Sequence, residues 1–527
     1  MPISSLRILP WAWPKSSIKP DRNTPLPAIN TDAFGAAGVG QAAAMPLDTP
    51  RDTLHFRGRE PEGAWAIQRQ AVRQLKIPYA FKVYRREKDP AQGKISNYLP
   101  RTIQPENLAS HLRGAKLIAL GDLHGSYQKL VETLLATGLA TMPPDSAASF
   151  REISEAFAQD ICTEPKYPTE ANPFRRYAIS RLNRNSPEQS ERLLQKALFS
   201  QEAIDDILQR QKRYQGYYQQ LRPLIQQLRW TGTEGQQLLL IGDVLSDRGA
   251  LDFLTLDVID QITRNQPHRL IGLASNHDHA GMKTLLYGMF PVGWGLAASL
   301  GRSLLIATDE DAQVRLSLHP EGETVRVALR TEESPGSLSD FRERYRRYVQ
   351  GSQLVHYRPE HQTLFTHAPI NATEISQLND VLSQRYLDCA PTPQFDSKSG
   401  RVRLKDIGVW QSWANRFWQT YAGRAFEENS LKNPVEEVLL SQVPEQGFLW
   451  RRDPLKKKDS LPFFNNGAQA LVHGHDRGSQ DSPFSVHRQL SPFPWKVPYT
   501  VINLDQDTRK TVYSVTSHQP CSLYVEF

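Results

Sequence analysis

The sequence is poor in cysteine: three in 527 residues, Cys162, Cys389 and Cys521, odd in number and far apart. That argues against a disulfide framework and favours a reducing compartment such as the cytoplasm. It also rules out a Cys-x5-Arg loop, because Pro168, Phe395 and Phe527 stand six positions after the three thiols. No apolar run approaches the roughly 20 residues that span a bilayer, so no transmembrane segment is expected. The start of the chain (Arg7, then Ile8 to Trp13 interrupted by Pro10) makes a poor secretory signal. Charge of one sign is scarce too: 63 Lys and Arg against 56 Asp and Glu leave +7. Basic clusters occur at Arg175-Arg176, Arg342 to Arg347, Arg451-Arg452 and Lys456 to Lys458. They read as solvated surface, or as a lure for acidic partners. No RNA- or DNA-reading motif accompanies them, so no specific nucleic-acid partner is expected. A hydrophobic fraction of 39% and a charged fraction of 23% are ordinary for a globular chain, long enough for two or three domains' worth of core.

What is present is an ordered set of five polar segments, each after a short apolar run. They are Gly121-Asp122-Leu123-His124-Gly125, Gly242-Asp243-Val244-Leu245-Ser246-Asp247-Arg248-Gly249, Ser275-Asn276-His277-Asp278, Thr366-His367-Ala368-Pro369 and His473-Gly474-His475-Asp476. The preceding runs, 116–120, 237–241, 270–274, 363–365 and 470–472, read as buried strands. In layered α/β folds ligands bind beyond the carboxyl ends of such strands, so five distant segments can converge in one cleft. Carboxylate oxygens and imidazole nitrogens without any thiolate suit manganese, iron or zinc rather than a structural zinc site. A shared carboxylate can bridge two such ions, and an arginine suits an anion; together these point to metal-assisted hydrolysis of a phosphate ester.

These motifs resemble the phosphoprotein phosphatase family of the calcineurin-like metallophosphoesterase superfamily. The resemblance implies an α/β fold: a β-sandwich flanked by helices in four layers, α/β/β/α. It implies two divalent metal ions, manganese favoured, with iron or zinc as alternatives. Asp122 and His124 would hold the first, Asp243 would bridge, and Asn276, His367 and His475 would complete the second. His277 would protonate the leaving group, with Asp247 orienting it, and Arg248 would grip the phosphoryl oxygens. The nucleophile would be a metal-bridging hydroxide attacking in line. Residues 499–505 and 510–515 are similar to the family's closing strand pair. His473 reads as structural, and His279, His319, His356 and His361 occupy no motif position.

The chain departs from the family in three ways. Val244, Leu245 and Ser246 separate the aspartates of the second motif, where the family has two residues, so a bulged loop must re-aim Asp247 and Arg248. Ser275 replaces a glycine before Asn276. No motif places a second active-site arginine; Arg302 and Arg358 are candidates.

Residues 1–60, rich in Pro, Ala, Gly and Ser, are expected to be disordered, and 61–527 to form the metallophosphatase domain. A helical insertion is expected at 141–232, with Phe150, Ile153, Phe157 and Ile161 at helical spacing, and a second, mostly helical one at 371–466. In the latter, Trp410, Trp413, Phe417 and Tyr421 read as one packed helix face. A β-hairpin is expected at 313–330. The large first insertion and Pro-rich start are also similar to the Wip group of effector phosphatases that Legionella injects into host cells. That resemblance implies a host phosphoprotein as substrate and secretion into a host cell. The expected function is thus dinuclear-metal phosphoprotein phosphatase, acting on phosphoserine, phosphothreonine or phosphotyrosine. Two alternatives stand beside it: a nucleotide hydrolase of the diadenosine-tetraphosphatase type, and a catalytically weak phosphatase-fold scaffold.

Overall fold

The structure is a computed structural model that describes residues 62–88, 95–97, 101–163, 201–246, 249–264, 266–287, 297–307, 337–370, 378, 382, 394–396, 401–403, 407–429, 431, 448–449, 470–475, 486–489, 499–504 and 521–527. All of them lie in Pro61–Phe527, the second of two units into which the chain divides. The disorder expected at 1–60 and the hairpin expected at 313–330 lie outside the described residues, as do the basic clusters at 175–176, 451–452 and 456–458.

The described strands are β1 (Phe81–Lys88), β2 (Ile95–Asn97), β3 (Arg101–Ile103), β4 (Leu117–Leu120), β5 (Ala140–Thr141), β6 (Arg229–Trp230), β7 (Gln237–Leu240), β8 (Leu270–Gly272), β9 (Val355–Arg358), β10 (Thr363–Thr366), β11 (Gln394–Asp396), β12 (Arg401–Arg403), β13 (Ala470–His473), β14 (Val486–Gln489), β15 (Tyr499–Asn503) and β16 (Cys521–Glu526). The fold is mixed α/β. One sheet runs β2-β1-β16-β4-β7-β8, with β3 also on β1, and a second runs β14-β15-β13-β10-β9. Within the first, β4, β7 and β8 are parallel, Leu120 facing Leu240 and Leu240 facing Gly272. Their carboxyl ends therefore emerge at one edge. In the second, β10 and β13 are parallel, which brings the ends before His367 and His475 together.

All four residues of β4, β10 and β13 are buried, as continuous apolar runs covered on both faces must be. Alternation then sorts the side chains. Leu117, Ala119, Leu239 and Ile271 join Phe365, Val472 and Ile502 of the other sheet in one apolar cluster. Ile118, Leu120, Leu238 and Leu240 turn the other way, into the core shared with the helices. A bridge between Leu273 and Gln353 extends β8 toward the second sheet.

The described helices are α1 (Glu62–Leu75), α2 (Pro105–His111), α3 (Tyr127–Thr137), α4 (Pro144–Cys162), α5 (Gln201–Ile225), α6 (Asp252–Thr263), α7 (Asn276–Tyr287), α8 (Ala297–Ile306), α9 (Leu338–Gly351) and α10 (Ile407–Glu427). Helix α3 follows the first motif. Ser126 caps it by accepting the Lys129 amide at 3.3 Å, and Gly138 closes it at φ 78°, where an L side chain is strained. Helices α4 and α5 pack through Phe157, stacked on Tyr217 at 4.9 Å. In α10, Trp410, Phe417, Trp418 and Tyr421 are buried, so the aromatic stripe is packing. The basic run on α9 is engaged internally: Arg344 pairs with Asp340 at 2.7 Å and reaches Asp257 and Asp260 of α6, and Arg346 pairs with Glu343 at 2.7 Å.

Buried Glu132 on α3 accepts hydrogen bonds from Tyr79 Oη (2.6 Å) and Gln128 Nε2 (2.9 Å). Burial raises its carboxyl to about 7 against the pull of these donors. Between the unfolded value near 4.5 and about 7 the folded state binds more protons than the unfolded one, so stability falls as pH rises through that window. Glu132→Gln is expected to flatten this pH dependence, measured as the urea midpoint across the window.

Candidate metal centre

The first two motifs are held together by their own backbones. The amides of Leu123 and His124 both donate to the Asp243 carbonyl, Gly125 N–H donates to Val244 O at 2.8 Å, and Gly249 N–H to His124 O at 2.6 Å. Four residues of the cleft have left-handed backbones: His124 (φ 53°), Asp243 (44°), Ser246 (60°) and His475 (62°). Such conformations cost of order 1–3 kcal/mol each away from glycine and persist where the surroundings over-determine them. Two of the four, Asp243 and Ser246, belong to the lengthened second motif.

The third motif opens α7 with a reciprocal cap. Asp278 N–H donates to Ser275 Oγ (3.1 Å) and Ser275 N–H to Asp278 Oδ2 (3.0 Å), the S-x-x-D form of a capping box. Ser275 in place of glycine thus fixes the first turn that carries Asn276 and His277. From the second sheet, His367 Nδ1 donates to Ile241 O at 3.0 Å, and Gly474 N–H donates to His367 O at 2.8 Å. The His475 amide donates to Asp122 Oδ2 at 3.0 Å.

Among the described residues, two buried triads have ligand atoms within 4.8 Å of one another: His124, Asp243 and His277, and Asp243, His367 and His475. Asp243 is common to both. Its Oδ2 is 3.5 Å from His277 Nε2 and 3.9 Å from His124 Nδ1, and its Oδ1 is 3.2 Å from His367 Nε2. Asn276 Oδ1 lies 2.8 Å from His367 Nε2. Asp122 is completely buried beside the triads but belongs to neither, and His277, expected only as a proton donor, stands in the first. Asp247 and Arg248 lie outside the described residues.

The donor set fits a cation. With Nδ1 of His367 protonated on Ile241 O, a neutral ring turns its Nε2 lone pair on two more acceptors, Asn276 Oδ1 and Asp243 Oδ1. Three acceptors converge, and a second ring proton, a metal ion or an Asn276 amide turned to present Nδ2 would reconcile them. Without a metal the proton serves: burial would lower the ring's pKa, but the Asp243 carboxylate, with Asp122 behind it, lifts it to about 9. Burial would likewise raise Asp243, yet the imidazoles of His277, His367 and His124 hold it well below the usual carboxylate range. A divalent ion on the same atoms would replace those protons.

Several contributors carried no sequence signal. Buried Lys129 donates Nζ to the Asp122 carbonyl at 3.0 Å. Asp252 Oδ1 accepts the Ser246 amide at 3.0 Å, and the Ser246 carbonyl takes His277 Nδ1 at 2.5 Å. Of the two candidate arginines, Arg302 on α8 donates to Gly249 O (3.0 Å) and Ala250 O (3.3 Å), bracing the second motif. Arg358 stands opposite Thr363, at the start of β10, 3.4 Å from Glu526 beside the start of β4. That is the edge away from the cleft. His279 bonds Tyr421 Oη at 2.8 Å, and its burial drives it down to about 3, leaving it neutral.

No known protein family and no curated protein sequence matches this chain. Among solved structures, the crystal structure of the phosphatase domain from the Legionella effector WipB is similar at 17% sequence identity, covering 68% of this chain and 98% of that one with a TM-score of 0.35.

Gly474 sits where a Cβ would collide with Asp122 Oδ1. Gly474→Ala is therefore expected to displace the Asp122 carboxylate and cost about 1–3 kcal/mol of stability, as overpacking does, read as a lowered urea midpoint.

Proposed function

We propose that the chain is a metal-dependent phosphatase that hydrolyses phosphomonoesters of proteins. The observation that carries this is the pair of buried His/Asp triads sharing one carboxylate. Their position at the carboxyl ends of parallel strands from two sheets supports membership of the calcineurin-like superfamily, as does the order of the five motifs. Packing on both faces of each sheet supports the four-layer arrangement. On this reading 61–527 is the catalytic domain, with inserts at 141–232 and 371–466.

The residues divide the work by chemistry. Asp122, His124 and Asp243 would hold one ion, and Asp243, Asn276, His367 and His475 the other; nitrogen and oxygen donors without thiolate suit manganese, iron or zinc. Two such ions, when bound, would supply an activated water and offset charge on the phosphoryl oxygens. His277 is the proton donor of the set. Its Nδ1 is fixed on the Ser246 carbonyl and its Nε2 faces Asp243 Oδ2 at 3.5 Å, where it would give a proton to a departing alkoxide or phenoxide. Arg248 would grip the phosphoryl group, its planar fork matching two oxygens.

Asp243→Asn is expected to lose both metal retention and turnover, because it removes the charge common to the two triads. His277→Ala is expected to keep its metal while turnover of a phosphoserine peptide falls roughly a hundredfold or more. Elemental analysis beside a phosphate-release assay under added Mn²⁺ checks both. A wild-type protein that binds no metal and releases no phosphate from any phosphopeptide would sink the proposal in favour of a scaffold, and turnover confined to nucleotides would favour the nucleotide hydrolase.

A further inference from the structure

Residues outside the five motifs set the direction in which His277 points. Ser246, the residue by which the second motif is lengthened, is wholly buried and left-handed. Its amide and carbonyl are both committed: the N–H donates to Asp252 Oδ1 at 3.0 Å, and the C=O receives His277 Nδ1 at 2.5 Å. The two groups flank one Cα, so anchoring the amide limits the rotation of the residue and thereby aims its carbonyl. A side-chain bond completes the anchorage, because Ser246 Oγ meets Tyr345 Oη at 3.2 Å, and that same hydroxyl donates to the Asp278 carbonyl on α7 at 3.2 Å.

Asp252 is itself firmly placed. It is completely buried and is the first residue of α6, where unpaired amides favour a carboxylate. The next amide, Phe253 N–H, is held by Ser303 Oγ at 3.1 Å. The first motif leaves space for it: a Cβ on Gly125 would collide with Asp252 Oδ1 and Ser299 Oγ. A ring nitrogen makes one in-plane hydrogen bond, and at His277 Nδ1 the Ser246 carbonyl fills it.

We propose that Asp252 is a positioning residue for His277, acting through the Ser246 peptide. The proposal rests on the phosphatase reading, in which His277 gives its Nε2 proton to the leaving oxygen, the P–O bond breaking as that oxygen takes the proton. Misaiming the ring then harms only substrates whose leaving group needs a proton. A phosphoserine peptide leaves as an alkoxide and needs one; p-nitrophenyl phosphate leaves as a stable phenolate and does not.

The test is a comparison of kcat on these two substrates for Asp252→Ala and Asp252→Asn, each in the full chain and each with or without His277→Ala. Asp252→Ala is expected to lower kcat on the phosphoserine peptide about tenfold or more while changing the aryl substrate by less than about threefold, with metal content retained. Asp252→Asn, which keeps an acceptor oxygen, is expected to restore most of the loss. In the His277→Ala background the Asp252→Ala penalty should vanish, since a residue acting only through His277 has nothing left to position. Should Asp252→Ala fail to fold, Tyr345→Phe loosens the same turn and should show the same selectivity. Equal losses on both substrates, or an undiminished loss in the His277→Ala background, would overturn the positioning role while leaving the phosphatase reading intact. A wild-type protein inert on both substrates would overturn the two together.

Discussion

A carboxylate with almost no contact with water, Asp243, organises the cleft. Leaving such a charge unpaired in a protein interior is prohibitively costly. Here three imidazoles surround it, from His124, His277 and His367, and each arrives on a different chain segment. Those segments follow strands of both sheets, His124 and His277 the first and His367 the second, so the full set assembles only when the two sheets pack together. The fold and the site are in this sense one problem, and divalent ions would meet the same electrostatic demand that the imidazoles meet without them.

The backbone bears part of the cost. His124, Asp243, Ser246 and His475 all adopt left-handed conformations, and glycines stand where side chains would collide with the donors: Gly242 against His367, Gly474 against Asp122 and Gly125 against Asp252. Strain of this kind survives only in a stiff frame. The buried cluster between the sheets and the main-chain bonds that tie Leu123 and His124 to the Asp243 carbonyl provide that frame. Helices packed outside the first sheet reinforce it at one remove. Helix α5 donates Gln211 Nε2 to Leu305 O and Gln215 Nε2 to Ile306 O at the end of α8, and α8 sends Arg302 to the carbonyls of Gly249 and Ala250 at the end of the second motif. Helix α5 is therefore linked to the site by hydrogen bonds that pass through α8.

The strands before the motifs were legible because buried parallel strands leave an unambiguous mark, a short apolar run closed by glycine or a polar residue. Helix α4 was legible from the helical spacing of Phe150, Ile153, Phe157 and Ile161, and the stripe on α10 from spacings of three and four. The arginines of α9 were only half legible: charge density shows in a sequence, whereas their acidic partners on α6 lie far away along the chain. The effect of the extra residue in the second motif was visible as a length but not as a shape. The left-handed backbone of Ser246 depends on what stands beside it, here Asp252 and Tyr345.

By itself, then, the sequence determined the chemical inventory and its placement at strand ends: Asp122, His124, Asp243, Asn276, His277, His367 and His475, each after an apolar run. Local composition suffices for that, because strand burial and motif identity are properties of a few adjacent residues. The tertiary structure alone decided which of these groups converge. It made Asp243 common to two triads, placed Asp122 under the His475 amide, gave His277 Nδ1 to the Ser246 carbonyl and sent Arg358 to the far edge. Distances of a few ångströms between side chains on separate strands follow from sheet order, register and packing, and those come from contacts across the whole chain.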